Sequence, residues 1–283
     1  MLHSATLTDF LNRPGTVVQL CISKVRGSSP REVGATMFVR ERAVHGTIGG
    51  GQMEHRAIET ARAMLLGNDV AQQIGIALGP EIGQCCGGHV TIDVKRMSTK
   101  DKSDALAVAR NAENALPAVY ILGAGHVGRA LADLFQYLPV RAILIDQRLN
   151  ELTMSSASVE KRISAIPEFD IINAPPGSAY VVLTHDHALD FLLTSAALDR
   201  GDACYVGMIG SATKRARFQS WAREHCNGLS AEQLICPMGA GGSRDKRPAV
   251  IAAFVVAEVM TALTSQVTVH HPEPGTVPQT AVR

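Results

Sequence analysis

Val119-Tyr-Ile-Leu122-Gly123-Ala-Gly125-His126-Val-Gly128 is the stretch on which the reading of the fold turns. Its apolar start, with β-branched and aromatic members, reads as a buried strand, and its glycines open a helical pattern at 127–137. In such a turn Gly123 permits the tight bend, Gly125 lets the backbone approach a pyrophosphate, and Gly128 lets the helix pack close to its strand. An anion would rest on free N–H groups at the positive end of the helix dipole, and His126 within the loop is a further candidate contact. Asp146 stands 23 residues after Gly123, at the end of the next apolar run, where a ribose-binding acid is expected. Arg148, two residues on, leaves a phosphorylated ribose open as well.

Outward from this stretch the alternation continues. Strands are expected at 118–122, 142–146, 179–183 and 203–208, with helices at 127–137, 186–199, 211–224 and 248–263. This pattern defines the α/β class: a Rossmann-like, doubly wound parallel sheet over residues 115–265. Upstream, strands at 17–25, 34–39 and 89–94 mix with one helix at 52–66, so residues 1–100 read as a smaller N-terminal α+β domain. The polar run 97–103, followed by an Ala-rich segment to 116, is taken as the boundary. The Pro-rich, polar tail 266–283 is expected to be disordered.

A chain of 283 residues suits about two such domains. Lys and Arg number 27 against 26 Asp and Glu, and a net charge of +1 argues against a nucleic-acid partner. The six cysteines are too scattered for a disulfide scaffold, and residues 1–15 lack a basic region followed by an apolar one. The longest apolar run, 249–260, is short for a membrane span and is interrupted by Glu258. A cytoplasmic, reduced protein with no membrane association is expected.

The remaining glycine-rich loops carry most of the chemistry. Gly83-Gln84-Cys85-Cys86-Gly87-Gly88 places two thiols side by side. Adjacent Cα atoms lie about 3.8 Å apart, below the roughly 4.4–6.8 Å of ordinary disulfides, so free thiols suited to a soft metal or to sulfur handling are expected. Two small apolar fillers are the competing reading. Gly46-Thr-Ile-Gly49-Gly50-Gly51, ahead of Gln52 and Glu54, is a second glycine-rich lead-in to a helix and reads as a second anion nest. Thr184-His185-Asp186-His187 ends a strand where doubly wound sheets bind ligands. There Asp186 either caps the next helix, the favoured reading, or joins His185, His187 and Asp190 as metal ligands. Cys236-Pro-Met-Gly-Ala-Gly-Gly-Ser243 is either a third functional loop or a simple helix lead-in.

These segments together resemble the XdhC/CoxI family. The resemblance runs from about residue 17 to 263 and rests on motifs in order. In the first half they are Gly27-Ser-Ser-Pro-Arg31, the 46–51 loop with Glu54, and the 83–88 loop. In the second half they are the 123–128 loop, Thr184-His-Asp186 with Leu189-Asp190, and Tyr205-Val-Gly-Met-Ile-Gly-Ser211 with Lys214-Arg215. Cys236-Pro-Met-Gly239 with Pro248-Ala249 and Ile251-Ala252 closes the series. The chain departs from the pattern at Gln52, where some branches carry Cys, and at 239–244, which is richer in glycine.

The resemblance implies a chaperone for the molybdenum cofactor (molybdopterin), not an enzyme. Such a protein protects the cofactor, supports its sulfuration with a cysteine desulfurase, and delivers it to apo-xanthine dehydrogenase; a homodimer is the family expectation. On that reading Gly49, Gly50, Gly123, Gly125, His126 and Gly128 cradle the cofactor. Cys85 and Cys86 neighbour its molybdenum, and Gln84, Asp146 and Asp186 face its pterin edge. Two other readings compete: an NAD(P)-dependent oxidoreductase using Asp146 with His185 as acid or base, and a redox-sensing module acting through Cys85 and Cys86. The 83–88 loop favours the first, since a simple dehydrogenase has no need of it. Thiol titration of the unreduced, denatured protein should find Cys85 and Cys86 both free; a loss of two hydrogens localised to their peptide would contradict this.

Overall fold

Val18, Leu20 and Ile22 are buried while Gln19 and Cys21 between them are less so, the period-two pattern of a strand with one face on a core. In the computed structural model, which describes residues 4–67, 69–79, 87–241, 243 and 245–265, the chain divides after Ala115 into two units. The first runs α1 (Ser4–Asn12), β1 (Val18–Arg26), β2 (Thr36–Val39), β3 (Val44–Gly46), α2 (Gly51–Leu66), β4 (Ala71–Ala77), β5 (His89–Arg96) and α3 (Thr99–Asn114). Its sheet is antiparallel, in the order β3-β2-β1-β5-β4. Met53, Ala57, Ala61 and Met64, at helical spacing, lay α2 over one face of the sheet. Phe38 points the other way from its neighbours Met37 and Val39, and Leu7 and Leu11 of α1 with Ala109 of α3 cover it.

The segment expected to hold the boundary, 97–116, is mostly α3, and the division falls at its end. Ser98 Oγ accepts the Asp101 amide and the Asp101 carboxylate accepts the Ser98 amide, a capping box that starts a helix in a sequence with little apolar character. The first unit therefore extends to Ala115. Arg40, only 8% exposed, closes the far end of α1. Its guanidinium donates to the carbonyls of Phe10 (2.8 Å), Arg13 (2.6 Å) and Pro14 (2.9 Å), oxygens that the helix end leaves without amide partners.

The second unit runs β6 (Ala118–Leu122), α4 (His126–Phe135), β7 (Arg141–Asp146), α5 (Leu149–Thr153), β8 (Glu160–Ile163) and α6 (Pro167–Ile172). It continues through β9 (Ala179–Val182), α7 (His187–Asp199), β10 (Tyr205–Met208), α8 (Ala212–His225), β11 (Leu234–Ile235) and α9 (Pro248–Ser265). All neighbours pair in parallel, in the order β11-β10-β9-β6-β7-β8. Every residue of β6 is buried because the sheet is covered on both sides. Val119 and Ile121 pack into the core shared with α4 and α9, and Tyr120 and Leu122 into the core shared with α7 and α8. The chain leaves β6 outward through β7 and β8, then returns to lay β9 on the opposite side of β6. That reversal is a topological switch point, so this unit is the expected Rossmann-like, doubly wound sheet.

The apolar run read as 249–260 belongs to the 18-residue α9, long and apolar enough by composition to cross a membrane. Here it buries Ala252, Val255, Val259 and Leu263 in the core that it shares with α4. Replacing Arg40 with Leu should lower the stability of the first unit by about 3 kcal/mol, since it strands several carbonyls at once. Urea denaturation followed by circular dichroism measures this, and an unchanged midpoint would show that α1 closes without the guanidinium.

Candidate functional site

The glycines of the β6–α4 loop differ in what holds them. Gly123 has a φ of +128°, and a Cβ there would lie 2.4 Å from the Leu183 carbonyl oxygen. A Cβ on Gly128 would lie 1.9 Å from the oxygen of Gly123. The fold itself demands both. At Gly125 φ is −66° and a Cβ would meet nothing within 4 Å. Neither conformation nor packing calls for glycine there, which leaves the open space above it as the reason. Gly125 is also the N-cap of α4, and it supplies no side-chain oxygen to the amides of the first turn. A bare helix start under open space is the geometry that takes a phosphate.

Asp146 closes β7 beside this loop and is 6% exposed. Its Oδ2 accepts the Ala124 amide (2.8 Å) and Arg148 Nη2 (3.1 Å), while its Oδ1 accepts the Arg148 amide (2.9 Å) and Nε (3.0 Å). All four acceptor positions of the carboxylate are thereby taken. Burial alone would raise its pKa, but the Arg148 fork and the two amides outweigh burial and hold it below the ordinary value.

At the end of β9, Asp186 accepts the amides of Ala188 (2.7 Å) and Leu189 (3.3 Å) and so caps α7. Asp190, one turn on and 1% exposed, accepts both the Thr184 amide and hydroxyl at 2.8 Å on one oxygen and Lys214 Nζ on the other. Lys214, in the first turn of α8, also donates to the Ile209 carbonyl at 2.9 Å. A buried ion pair thus clamps the β9–α7 loop to the β10–α8 loop at the carboxyl edge of the sheet. Glu258 of α9 holds the next loop, accepting from the Gly239 amide (3.0 Å) and the Tyr205 hydroxyl (2.9 Å). Burial, with the Glu258 charge, pushes the Tyr205 phenol above its usual range. Between the Gly123 turn, the end of β7 and α7 lies a narrow crevice of about 10 Å³, room for no more than about one water. Leu122, Ile145, Leu189 and Leu193 line it together with Asp146 and His185.

In the first unit the loop expected to be an anion nest already holds an anion. The Glu54 carboxylate accepts the amides of Ile48 (3.0 Å) and Gly50 (3.1 Å) and the Thr47 hydroxyl. Burial works to raise the Glu54 pKa, but these hydrogen bonds outweigh it and keep the carboxyl below its ordinary value. A Cβ on Gly49 would lie 2.8 Å from Pro30 Cγ, and one on Gly88 would lie 2.0 Å from the Ser28 oxygen. Segments 27–31, 46–54 and 87–88 therefore meet at one end of the N-terminal sheet.

Of the residues singled out in the sequence, Gly123, Gly125, His126, Gly128, Asp146 and Asp186 come together at the carboxyl end of the second sheet. Gly49 and Gly50 lie in the loop cluster of the first unit, and Gln84, Cys85 and Cys86 lie outside the described residues. The anchoring roles of Lys214 and Glu258 are set by the tertiary fold and not by local spacing. Glu258 had a signal, as the one charge inside the apolar run 249–260.

Sheet order and loop geometry together define a doubly wound, Rossmann-type α/β domain, preceded in the chain by an antiparallel sheet unit. The chain belongs to the XdhC and CoxI family: that family's model matches residues 11–74, and the XdhC Rossmann domain matches residues 119–259. Among relatives, an uncharacterised protein of Escherichia coli (strain K12), YqeB, is 27% identical over 267 residues, 88% of this chain and 43% of that protein. The chain thus spans less than half the length of that relative. A crystal structure described as a xanthine dehydrogenase from Bacillus halodurans shares the fold with a TM-score of 0.75 at 16% identity, over 96% of this chain and 98% of that one.

Gly125→Ala should leave the melting temperature of the chain nearly unchanged, whereas Gly128→Ala should cost about 2 kcal/mol or more through the clash with the Gly123 oxygen. Equal losses in the two variants, measured by thermal denaturation, would make Gly125 a packing glycine and remove the case for a cradle.

Proposed function

We propose that the chain is an accessory protein of xanthine dehydrogenase that carries the molybdenum cofactor and catalyses no turnover of its own. Family membership supports the accessory role. The single observation that carries the binding role is Gly125, a glycine that neither φ nor packing requires, at the uncapped start of α4. A terminal phosphate suits that position. Cys85 and Cys86 are soft donors of the kind a dithiolene-bound metal accepts as neighbours. Asp146 is committed to Ala124 and Arg148, which leaves Asp186 as the carboxylate of this unit to orient the pterin edge. The same commitment counts against an NAD-dependent dehydrogenase, in which that acid must be free to accept from a ribose diol.

In this role the chain binds and shields its cargo, supports sulfuration by a cysteine desulfurase, and releases the cofactor on meeting apo-xanthine dehydrogenase. A cytoplasmic homodimer completes the proposal. Mixed with molybdopterin, a sulfur donor and apo-xanthine dehydrogenase, the purified chain should raise the recovered hydroxylase activity. Cys85→Ser and Cys86→Ser should lower that gain while the melting temperature holds. Reconstitution that proceeds equally well without the chain would overturn the role.

A further inference from the structure

We propose that β4 is a docking edge on which a second copy of this chain pairs, antiparallel, about a two-fold axis at Ile74. The strands at the ends of the two sheets differ in how they discourage such pairing. Among the described residues β3 spans three residues and β11 two, while β8 carries Glu160, Lys161 and Arg162 in a span of four. Short length and edge charges both protect a strand from pairing with another chain. By contrast β4, Ala-Gln-Gln-Ile-Gly-Ile-Ala over residues 71–77, has seven residues with no charge and no proline, and its one partner in the sheet is β5.

The Arg96 amide donates to the Val70 carbonyl (2.8 Å) and the Leu78 amide to the Gly88 carbonyl (2.7 Å), with an unbroken register between them. By the alternation of an antiparallel ladder, Gln72, Ile74 and Ile76 turn their backbone groups to β5. Ala71, Gln73, Gly75 and Ala77 therefore turn theirs outward. A second β4 laid antiparallel with Ile74 on the axis sets Ala71 opposite the partner's Ala77 and Gln73 opposite the partner's Gly75. Each outward amide then meets an outward carbonyl, and the whole row is satisfied at once. A slip of one residue would set outward groups against inward ones, and no other register pairs these four residues among themselves.

Side chains and charge favour a second copy as the occupant. Ile76 is buried in the core that α2 covers, and Ile74 packs partly against the same core. At the axis Ile74 faces the partner's Ile74 at a position without hydrogen bonds, where side chains of paired strands come closest. The core of each copy thereby gains an apolar neighbour across the joint. On the opposite face Gln73, held by Asp93 at 2.6 Å, lies across from the partner's Gly75, which has no side chain to obstruct it. An edge without charge meets its own copy without repulsion. Such a two-fold pair also closes, leaving the short β3 at both ends of the joined sheet.

This pairing gives the homodimer of the accessory reading its interface and stands apart from the cofactor role. Failure to rescue apo-xanthine dehydrogenase would leave the pairing intact, and failure to pair through β4 would leave cofactor delivery intact. The test is sedimentation equilibrium of the full chain across the micromolar range, where a dimer is expected. Gln73→Pro removes an outward N–H and no bond to β5, so it should weaken the dimer about tenfold or more while the circular dichroism spectrum holds. Ala71→Lys combined with Ala77→Lys sets like charges opposite each other twice and should weaken the dimer by about tenfold. Ala71→Lys combined with Ala77→Glu sets opposite charges there and should dimerise at least as tightly as the unsubstituted chain. This pair of double variants serves if the proline variant does not fold. A chain monomeric at every concentration, a dimer indifferent to Gln73→Pro, or equal effects in the two double variants would each overturn the proposal.

Discussion

A backbone rich in glycine exposes N–H donors that no side chain shields, and a fold that draws such a loop inward must supply each donor with an acceptor. In this chain the acceptors are its own carboxylates. Glu54 takes the amides of the 46–51 loop, Asp146 an amide of the β6–α4 loop, Asp190 the amide that opens the β9–α7 loop, and Glu258 the Gly239 amide. Each carboxylate also accepts from a second group: the Thr47 hydroxyl of the same loop for Glu54, and Arg148, Lys214 and the Tyr205 hydroxyl for the other three. An acceptor with two oxygens and several lone-pair directions does this where a single hydroxyl could not. The loops are therefore as fixed as the helices and strands that carry their anchors.

Against that background the start of α4 is the exception that matters. The α2 lead-in looked in sequence like a second anion nest, but Glu54 fills it from within the chain, and an incoming phosphate would meet a carboxylate there. At α4 the anchoring carboxylate, Asp146, takes the Ala124 amide and stops short of the helix start, over which Gly125 leaves room. Two loops that share a glycine pattern thus differ in one respect that decides their chemistry, whether an internal anion already occupies the positive end of the helix.

How much of this was legible in the sequence follows from the range of the forces involved. The second unit was readable because a sheet covered on both faces demands unbroken apolar runs, and β6, β7, β9 and β10 are such runs. By contrast β8, Glu-Lys-Arg-Ile at the sheet edge, has only one neighbouring strand and little burial to impose a pattern. The helix α3 was hidden because its apolar content is low and its start lies in a capping box within a polar run. In the site, the glycines and Asp146 announce themselves through local spacing. The pairing of Asp190 with Lys214, 24 residues away, and of Glu258 with Gly239, 19 residues away, depends on the tertiary fold.

The Asp190–Lys214 pair shows what these anchors contribute. Taking two charges out of water costs nearly what their attraction returns, so a buried pair is weak grounds for stability. Its effect lies in register, because Asp190 holds the Thr184 amide on one oxygen and Lys214 on the other, and Lys214 also holds the Ile209 carbonyl. Two loops on adjacent strands are thereby fixed relative to each other before any ligand arrives. A ligand that settles at the carboxyl edge meets amides and a guanidinium already in place, and little of its binding energy is spent on ordering them. The open cradle and the clamped loops around it are therefore parts of one arrangement, in which internal anions fix the loops and leave the start of α4 open to an external one.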